Sequence, residues 1–327
     1  MLNSNLKLNK KIFSKDIETV AIRKGFGEGL LLAGEANPQV VGLCADLTES
    51  THMDLFRDKY PRRFIQVGVA EQNLASVASG MASMGKIPFI SSYATFSPGR
   101  NWEQIRTTIC YNNQPVKIAG SHAGVSVGPD GGTHQATEDI ALTRIIPRMI
   151  VISPCDAIEA RKATLASVDT GTPVYLRLAR EKTPVITTKE TPFEIGKAQI
   201  VWQTEKPQVG IIATGALLYK ALETARRLED EIQVEVMNLA TIKPLDEEAI
   251  IELARKAGRI VTVEEHQIAG GMGSAVAELL SANHPVPMEF VGVRDQFGQS
   301  GTPEELIEHY GMGVDGIESA VRKIFKK

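Results

Sequence analysis

The chain has 327 residues, a formal net charge of -3 at pH 7, and a composition that is 43% hydrophobic and 23% charged. This length suits two domains of ordinary size, and the balance of residue types is that of a globular protein that can bury a large core. The near-neutral charge gives no electrostatic basis for binding nucleic acid, and no segment approaches the roughly 20 apolar residues that span a bilayer.

The cysteines and the N-terminal residues indicate the compartment. Cys44, Cys110 and Cys155 are scattered, odd in number and outside any CxxC pair, which predicts neither a disulfide framework nor a zinc site. The N-terminal residues alternate polar and apolar types and contain no continuous apolar segment of the signal-peptide kind. We therefore expect a cytoplasmic protein with no membrane and no nucleic acid among its partners.

The first half of the chain alternates short β-branched runs with helical patterns, which is typical of a parallel-sheet α/β protein. One helix has a clear predicted start, with Ser153 as N-cap, Pro154 as the first helical residue and Asp156 at the third position. We expect it to run to about Val168 and to stop before Gly171. The predicted buried strands of this half are 40–43, 64–67, 116–119, 149–152 and 174–176.

Both patterns weaken between Lys182 and about Lys206, where prolines and threonines are frequent. The alternation then restarts. We predict a first domain over 14–185, a link over 186–207 and a second domain over 208–327, each domain an α/β unit with a parallel or mixed sheet. The predicted elements of the second domain are strands at 209–213, 234–237, 260–263 and 288–291 and helices at 217–228, 246–257 and 274–280.

A glycine cluster in the second domain allows two interpretations. Gly270, Gly271 and Gly273 lie between a predicted strand and a helix, as in the dinucleotide fingerprint G-x-G-x-x-G. Val276 occupies the place of the third glycine, which favours a turn that only lets the helix start close to the sheet.

A single acid lies where one predicted strand gives way to a helix, in the segment VGVAEQN. The helix after Glu71 has apolar residues at helical spacing among serines, alanines and glycines. Small residues allow another backbone to approach closely, so we expect this helix at a subunit interface. Glu71 is then either a helix-start carboxylate favoured by the dipole or an acid at the edge of that interface.

A polar, glycine-rich loop follows another predicted strand and holds His122, Asp130 and His134. Loops at the carboxyl ends of strands in α/β sheets are common ligand sites. The spacing of the two histidines matches no common zinc pattern, and turn or capping roles are the alternative. Proton transfer or recognition of a polar substrate is favoured.

Tyr93 and Phe96 follow a third strand, beside a loop. Aromatic residues after a strand are usually core, but at this position they can stack on a planar heterocycle instead.

The series VGVAEQN, YATF, SHAGVSVGPDGGTHQ and LRLARE resembles, in order and spacing, the pyrimidine-binding half of the transketolase family. VEEHQIAGGMGS and RDQFGQSG resemble the carboxyl-terminal domain of the same family, so the resemblance extends from about Ser14 to the end of the chain. The DGGTHQ block is the most specific of these motifs. The resemblance implies thiamine diphosphate as cofactor and transfer of a two-carbon ketol unit from a ketose phosphate to an aldose phosphate.

The resemblance also implies roles for individual residues. Glu71 would share a proton with N1′ of the aminopyrimidine, so that the 4′-amino group can take the proton from C2 of the thiazolium ring. An apolar environment favours the protonated form of such a carboxyl group. Phe96 and Tyr93 would stack on the aminopyrimidine, and His122 and His134 would contact substrate hydroxyls and assist proton transfer.

Substrate recognition is implied for a second group of residues. Asp130 would bind a sugar hydroxyl, and Arg23, Ser50 and Arg180 match the family's phosphate-binding positions. Xylulose 5-phosphate and ribose 5-phosphate, the pair used in the pentose phosphate pathway, are the default substrates.

A missing motif implies a partner chain. The family holds the cofactor's diphosphate through a divalent metal, Mg²⁺ or Ca²⁺, at a Gly-Asp-Gly motif, and this sequence contains none. We expect an N-terminal transketolase subunit to carry the diphosphate-binding domain and the metal ligands. The expected assembly is an α2β2 heterotetramer that contains a homodimer of this chain.

Three alternatives stay open at this point. The beta subunit of a 2-oxo-acid dehydrogenase shares the interfacial glutamate but lacks the DGGTHQ block. A deoxyxylulose-phosphate-synthase-like enzyme shares the THQ and YxTF patterns but is normally one longer chain. A non-catalytic scaffold module is disfavoured because every acid and histidine of the motifs is present.

Overall fold

Fourteen β-strands form three sheets in the computed structural model, which describes residues 1–327. The strands are β1 (Thr19–Ala21), β2 (Val40–Cys44), β3 (Phe64–Gln66), β4 (Ile87–Tyr93), β5 (Lys117–Ser121), β6 (Ile150–Ile152), β7 (Val174–Leu178), β8 (Lys182–Pro184), β9 (Gln199–Trp202), β10 (Val209–Ala213), β11 (Val234–Asn238), β12 (Thr241–Lys243), β13 (Ile260–Gln267) and β14 (Met288–Val293).

Eleven α-helices cover or connect these strands. They are α1 (Ile22–Ala36), α2 (Asp54–Lys59), α3 (Glu71–Ser83), α4 (Trp102–Gln104), α5 (Asp139–Arg144), α6 (Ala157–Ser167), α7 (Leu218–Arg227), α8 (Glu247–Ala257), α9 (Met272–Asn283), α10 (Pro303–His309) and α11 (Val314–Phe325). A π-helix at Ile105–Tyr111 continues α4, and 3-10 turns occur at Ser4–Leu6, Pro61–Arg63, Val125–Asp130 and Gly215–Leu217. None of the helices has the length and apolar content needed to cross a membrane.

The first sheet has seven strands in the order β12-β6-β7-β5-β4-β2-β3, and the six from the first half of the chain pair in parallel. Parallel strands are covered on both faces, so they appear in sequence as continuous apolar runs. For this reason the five predicted strands coincide with β2, β3, β5, β6 and β7 to within about two residues.

The second sheet has five strands in the order β14-β13-β10-β11-β9, with β9 antiparallel at one edge. The other four strands are parallel and match the predicted strands of the second domain. The predicted α/β class with two parallel or mixed sheets is confirmed. The structure adds α10 and α11, which no predicted element covers, although Thr302 and Glu305 form a capping box with Pro303 at the helix start.

The two halves of the chain are interleaved. Strand β9 lies inside the predicted link and pairs with β11, while β12 of the second half adds an antiparallel edge to the first sheet through β6. One cluster of 31 buried apolar residues contains side chains from both sheets. Residues 186–207 therefore contribute a strand to the second sheet and do not only link the two domains.

The predicted start of the helix after β6 is wrong. Asp156, and not Ser153, is the N-cap of α6: its Oδ1 accepts a hydrogen bond from the Glu159 N–H at 2.8 Å. Asp156 is fully buried, and its Oδ2 also accepts from the main-chain N–H groups of Ile186 and Thr187, at 2.8 and 2.6 Å. A carboxylate that satisfies three N–H groups binds them more strongly than a serine hydroxyl can, and it takes the cap position.

Candidate active site

The predicted site residues lie together at the carboxyl-terminal edge of the first sheet. Tyr93 ends β4, His122 directly follows β5 and Arg180 comes two residues after β7, and these three strands are neighbours in the sheet. Glu71 begins α3 a few residues after β3. The parallel arrangement brings these loops to one edge, where ligands bind in α/β folds.

Glu71 is the buried acid of this edge, with 1% of its surface exposed. Leu74, Ala78 and Ala82 are buried on one face of α3 and fix the helix that positions it. The Glu71 carboxylate accepts a hydrogen bond from Ser92 Oγ at 3.3 Å and one from Arg100 Nη1 at 2.9 Å.

The main-chain carbonyl of Glu71 also has a partner, because it accepts from Asn101 Nδ2 at 2.9 Å. Within this chain the surroundings of the Glu71 side chain are therefore polar, and not the apolar edge that its small-residue helix suggests. A buried carboxylate needs such partners, since its desolvation is otherwise too costly.

Arg100 links Glu71 to Phe96. Its guanidinium carbon lies 4.7 Å from the centre of the Phe96 ring while Nη1 pairs with Glu71, and about half of the side chain (49%) is exposed. A planar cation is thus held between a carboxylate and an aromatic face, by an ion pair and a cation–π contact.

Four predicted rings form one cluster. The ring of His122 stacks on Tyr93 with centroids 3.8 Å apart, and Phe96 lies nearly parallel to Tyr93 at 6.2 Å. His134 meets Phe96 edge-on at 5.5 Å. His122 covers one face of Tyr93, and the Arg100 guanidinium lies over the ring of Phe96.

His122 is held in one orientation and kept neutral. Its backbone has φ of +57°, uncommon for a residue other than glycine, and its Nδ1 lies 2.9 Å from Ser121 Oγ. Burial lowers the pKa of His122 to about 3, with further lowering by the charges of Arg23 and Arg180. His134 is only partly buried and has Thr133 Oγ1 2.9 Å from its Nδ1.

The half-buried guanidinium of Arg23 contacts the other two predicted phosphate-binding residues, Ser50 and Arg180. Arg23 on α1 donates from Nε to the Arg180 carbonyl at 2.9 Å and from Nη1 to the Ser50 carbonyl at 2.6 Å. Burial, followed by the charge of Arg180, lowers the pKa of Arg23. Arg180 donates to the carbonyl of Val127, and the Asp130 carboxylate is 3.9 Å away.

Two arginines close together suit an anionic group such as a phosphate. Ser50 contributes its main-chain carbonyl, which accepts the hydrogen bond from Arg23 Nη1. His52, which sequence reasoning missed, is half-buried in the same region, and its pKa is lowered by burial and by the charge of Arg23.

Ser92 and Arg100 were also missed as contacts of Glu71. The available signal was a pair of serines in the otherwise apolar strand β4, where a polar side chain that faces the interior needs a polar partner. The position of Arg100 had no comparable signal, because its contact depends on how the turn after β4 folds back.

The glycine cluster of the second domain is a structural turn and not a dinucleotide site. The Glu264 carboxylate accepts hydrogen bonds from the N–H groups of Met272 and Gly273, at 2.7 and 2.8 Å, at the start of α9 where a phosphate would bind. A Cβ at Gly273 would lie 2.5 Å from Thr262 Oγ1, so the glycine allows the helix to approach the sheet closely.

Comparison with known families accounts for most of the chain. The family model for "Transketolase, pyrimidine binding domain" matches residues 18–185, and that for "Transketolase, C-terminal domain" matches residues 196–317. The first covers the site described above, and the second covers most of the second sheet and the helices around it.

Individual relatives show the same likeness over nearly the full chain. A transketolase C-terminal section from Methanocaldococcus jannaschii is 41% identical, with 94% of this chain and 96% of the relative covered. A 6-deoxy-6-sulfo-D-fructose transketolase subunit from a Clostridium species is 37% identical, with 96% and 98% covered. Human transketolase is 34% identical, with 95% of this chain but 50% of the human protein covered.

A solved structure shows the same similarity at the level of the fold. It is described as a split gene transketolase, an inactive beta4 tetramer. Its TM-score with this chain is 0.87 at 43% identity, and the alignment covers 94% of this chain and 99% of the other.

The low pKa of His122 leads to a prediction about its titration. Because the pKa is about 3 in the folded chain, the ring proton signals of His122 should stay constant between about pH 8 and about pH 5. The ordinary pKa of a histidine is 6.5, so the unfolded chain binds the proton more strongly than the folded chain, and stability should be lost as the pH falls from about 6.5 toward about 3.

An NMR titration of the full chain measures this, with the signal assigned by its loss in His122→Asn. A His122 midpoint near pH 6 would contradict the predicted neutral state.

Proposed function

Because the chain belongs to the transketolase family, as the C-terminal subunit of a split enzyme, we propose that it supplies the aminopyrimidine-binding half of a thiamine-diphosphate site and acts in ketol transfer between sugar phosphates. In this proposal residues 14–185 form the pyrimidine domain, 186–207 the link and 208–327 the C-terminal domain. The observation that carries the proposal is the buried Glu71 carboxylate, which shares the Arg100 guanidinium with the face of the Phe96 ring.

The contacts of Arg100 support the fit of an aminopyrimidine. The guanidinium is planar and cationic, donates a hydrogen bond to Glu71 and lies over Phe96. A protonated aminopyrimidine is likewise planar and cationic and can donate a hydrogen bond. The space between Glu71 and Phe96 therefore has the chemistry that such a ring requires, provided that Arg100 moves aside.

When bound, thiamine diphosphate supplies a nucleophilic thiazolium carbon for cleavage of a ketose carbon–carbon bond. Glu71 would hold a proton between its carboxylate and N1′ of the pyrimidine, with Ser92 orienting the carboxylate. Phe96 would stack on the aminopyrimidine ring, while Tyr93 stacks on the ring of His122.

The histidines and the anion-binding residues would act on the substrate. His134, which is partly exposed, would exchange protons with substrate hydroxyls, and His122 would offer a neutral imidazole to them. Asp130 would bind a sugar hydroxyl. Arg23 and Arg180, with Ser50 holding Arg23 in place, would bind the terminal anion of the substrate.

A partner subunit would complete the cofactor site. The Gly-Asp-Gly motif through which the family holds the metal and the diphosphate does not occur in this sequence, so Mg²⁺ or Ca²⁺ and the diphosphate are assigned to the N-terminal subunit. The solvent-facing residues of α3 are small or polar, and Val69 just before it is 71% exposed. This surface suits close contact with other subunits in the proposed α2β2 assembly.

The sugar is the least determined part of the proposal. The anion-binding arginines and the transketolase relatives favour a ketose phosphate over a 2-oxo acid or a non-catalytic role. A relative named for a sulfonated sugar shows that the terminal anion varies within the family. Xylulose 5-phosphate with ribose 5-phosphate is the first pair to assay.

The proposed function is tested by reconstitution. The chain alone should bind thiamine diphosphate weakly and show no ketol transfer, because the metal and diphosphate ligands belong to the partner. The complex co-expressed with the N-terminal subunit should transfer ketol units from at least one donor in a panel of ketose phosphates and sulfonates. Tight, magnesium-dependent binding to the isolated chain in a calorimetric titration would contradict the proposed division of the site.

Substitution of Glu71 tests the role of the acid. Glu71→Gln keeps the shape and can still accept a hydrogen bond from Ser92, but it cannot share the proton, so turnover should fall by about 10²-fold or more. The complex should still assemble, as judged by size-exclusion chromatography with light scattering. The exposed Glu103→Gln is the matched control and should have normal activity. Near-normal turnover of Glu71→Gln would end the proposed mechanism.

Substitution of Arg100 tests whether it competes with the cofactor. Arg100→Ala removes an ion pair and a cation–π contact that cofactor binding must break, so thiamine diphosphate should bind the assembled complex between about threefold and tenfold more tightly. Calorimetric titration of the complex measures this affinity. The exposed Arg62→Ala is the control for loss of a surface charge. Weaker binding by Arg100→Ala would show that Arg100 supports the cofactor and does not compete with it.

A further inference from the structure

The loop between His122 and His134 is held by the second domain as well as by the first. Glu265 on β13 accepts a hydrogen bond from the Ser126 N–H at 2.6 Å. Gln135 donates from Nε2 to the Val125 carbonyl and to the Gln299 carbonyl, both at 3.0 Å. The path of the chain between the two histidines therefore depends on groups that lie outside the first domain.

The Glu265 contact is tight. Gly124 has φ of +86°, and a Cβ at that position would overlap Glu265 Oε1, so only glycine lets the loop approach the carboxylate. Glu265 is 4% exposed, and burial raises its pKa, which the nearby charge of Arg177 opposes. Arg177 also donates to the main-chain carbonyl of Glu265 at 2.8 Å. The hydrogen bonds from Ser126 and Arg177 hold Glu265 against the loop and offset the cost of burying its carboxyl group.

The preceding residue provides a contrast. Glu264 is equally buried, but its carboxylate caps α9 through Met272 and Gly273 and makes no hydrogen bond to the first domain. The two neighbouring glutamates therefore have separate tasks. One stabilises a helix of the second domain, and the other reaches across to the loop of the candidate active site.

We propose that Glu265 is a positioning residue for ketol transfer: its carboxylate fixes the 3-10 segment Val125–Asp130 and thereby sets the placement of His122 and His134 relative to each other. The second domain thus shapes the substrate side of the site without touching substrate or cofactor. This inference rests on the proposed function for its kinetic consequence, but its structural consequence is measurable without activity.

The structural test uses the full chain without its partner. In Glu265→Ala the Ser126 amide loses its acceptor, so its hydrogen exchange should become at least about tenfold faster, and the ring signals of His122 and His134 should shift. Glu265→Gln keeps an oxygen that can accept from Ser126 and should restore both signals. Glu264→Gln, the matched control, should lower the melting temperature and leave the Ser126 exchange and the histidine signals unchanged.

The kinetic test uses the assembled enzyme and the ketose phosphate that proves to be its best donor. Glu265→Ala should lower kcat by about tenfold or more, with little change in the affinity for thiamine diphosphate, because displaced histidines impair proton transfer and leave the cofactor contacts intact. Glu265→Gln should recover most of this loss. A general loss of stability would not lower kcat while leaving the affinity for thiamine diphosphate unchanged, and Glu264→Gln controls for such a loss.

The inference is overturned if Glu265→Ala leaves the Ser126 exchange and the histidine signals as in the unaltered chain, or if Glu264→Gln changes them equally. Full kcat in Glu265→Ala would also overturn it. Absence of ketol transfer by the unaltered complex with every donor would contradict the proposed function instead, and the NMR measurements would still decide whether Glu265 positions the loop.

Discussion

A carboxylate that is 1% exposed needs partners for its charge, and the candidate site is arranged around this requirement at Glu71. Ser92 and Arg100 satisfy the two carboxylate oxygens, and Asn101 satisfies the main-chain carbonyl of the same residue. The guanidinium that neutralises Glu71 also covers Phe96. In this chain the exposed side chain of Arg100 therefore both pairs with the Glu71 carboxylate and covers the Phe96 ring.

The rest of the site follows from the parallel sheet. Because β4, β5 and β7 are neighbours, the aromatic pair, the histidine loop and the arginine after β7 meet at one edge. The second half of the chain completes this arrangement: β12 extends the first sheet, one apolar cluster crosses both sheets, and Glu265 holds the loop between the histidines. The C-terminal domain is thus part of the framework of the site, and the division into two domains understates how much they share.

Much of this was predictable from local patterns. The apolar runs locate the central strands because strands covered on both faces must be apolar throughout. The motifs around Glu71, His122 and His134 indicate a transketolase-type site, and the comparisons confirm that family. The helix start near Ser153 was predicted wrongly. Asp156 is held at the cap position by hydrogen bonds from the N–H groups of Ile186 and Thr187, which are distant in sequence.

The sequence by itself determined the α/β class, the family and the identity of the acids, histidines and arginines at issue, since these depend on residue types in short segments. Only the tertiary structure decided which of them are in contact. The pairing of Arg100 with Glu71, the covering of Tyr93 by His122 and the reach of Glu265 to Ser126 each join residues from separate segments. Hydrogen bonds and ring contacts act over a few ångströms, so they depend on how the chain folds back and leave no periodic trace in the sequence.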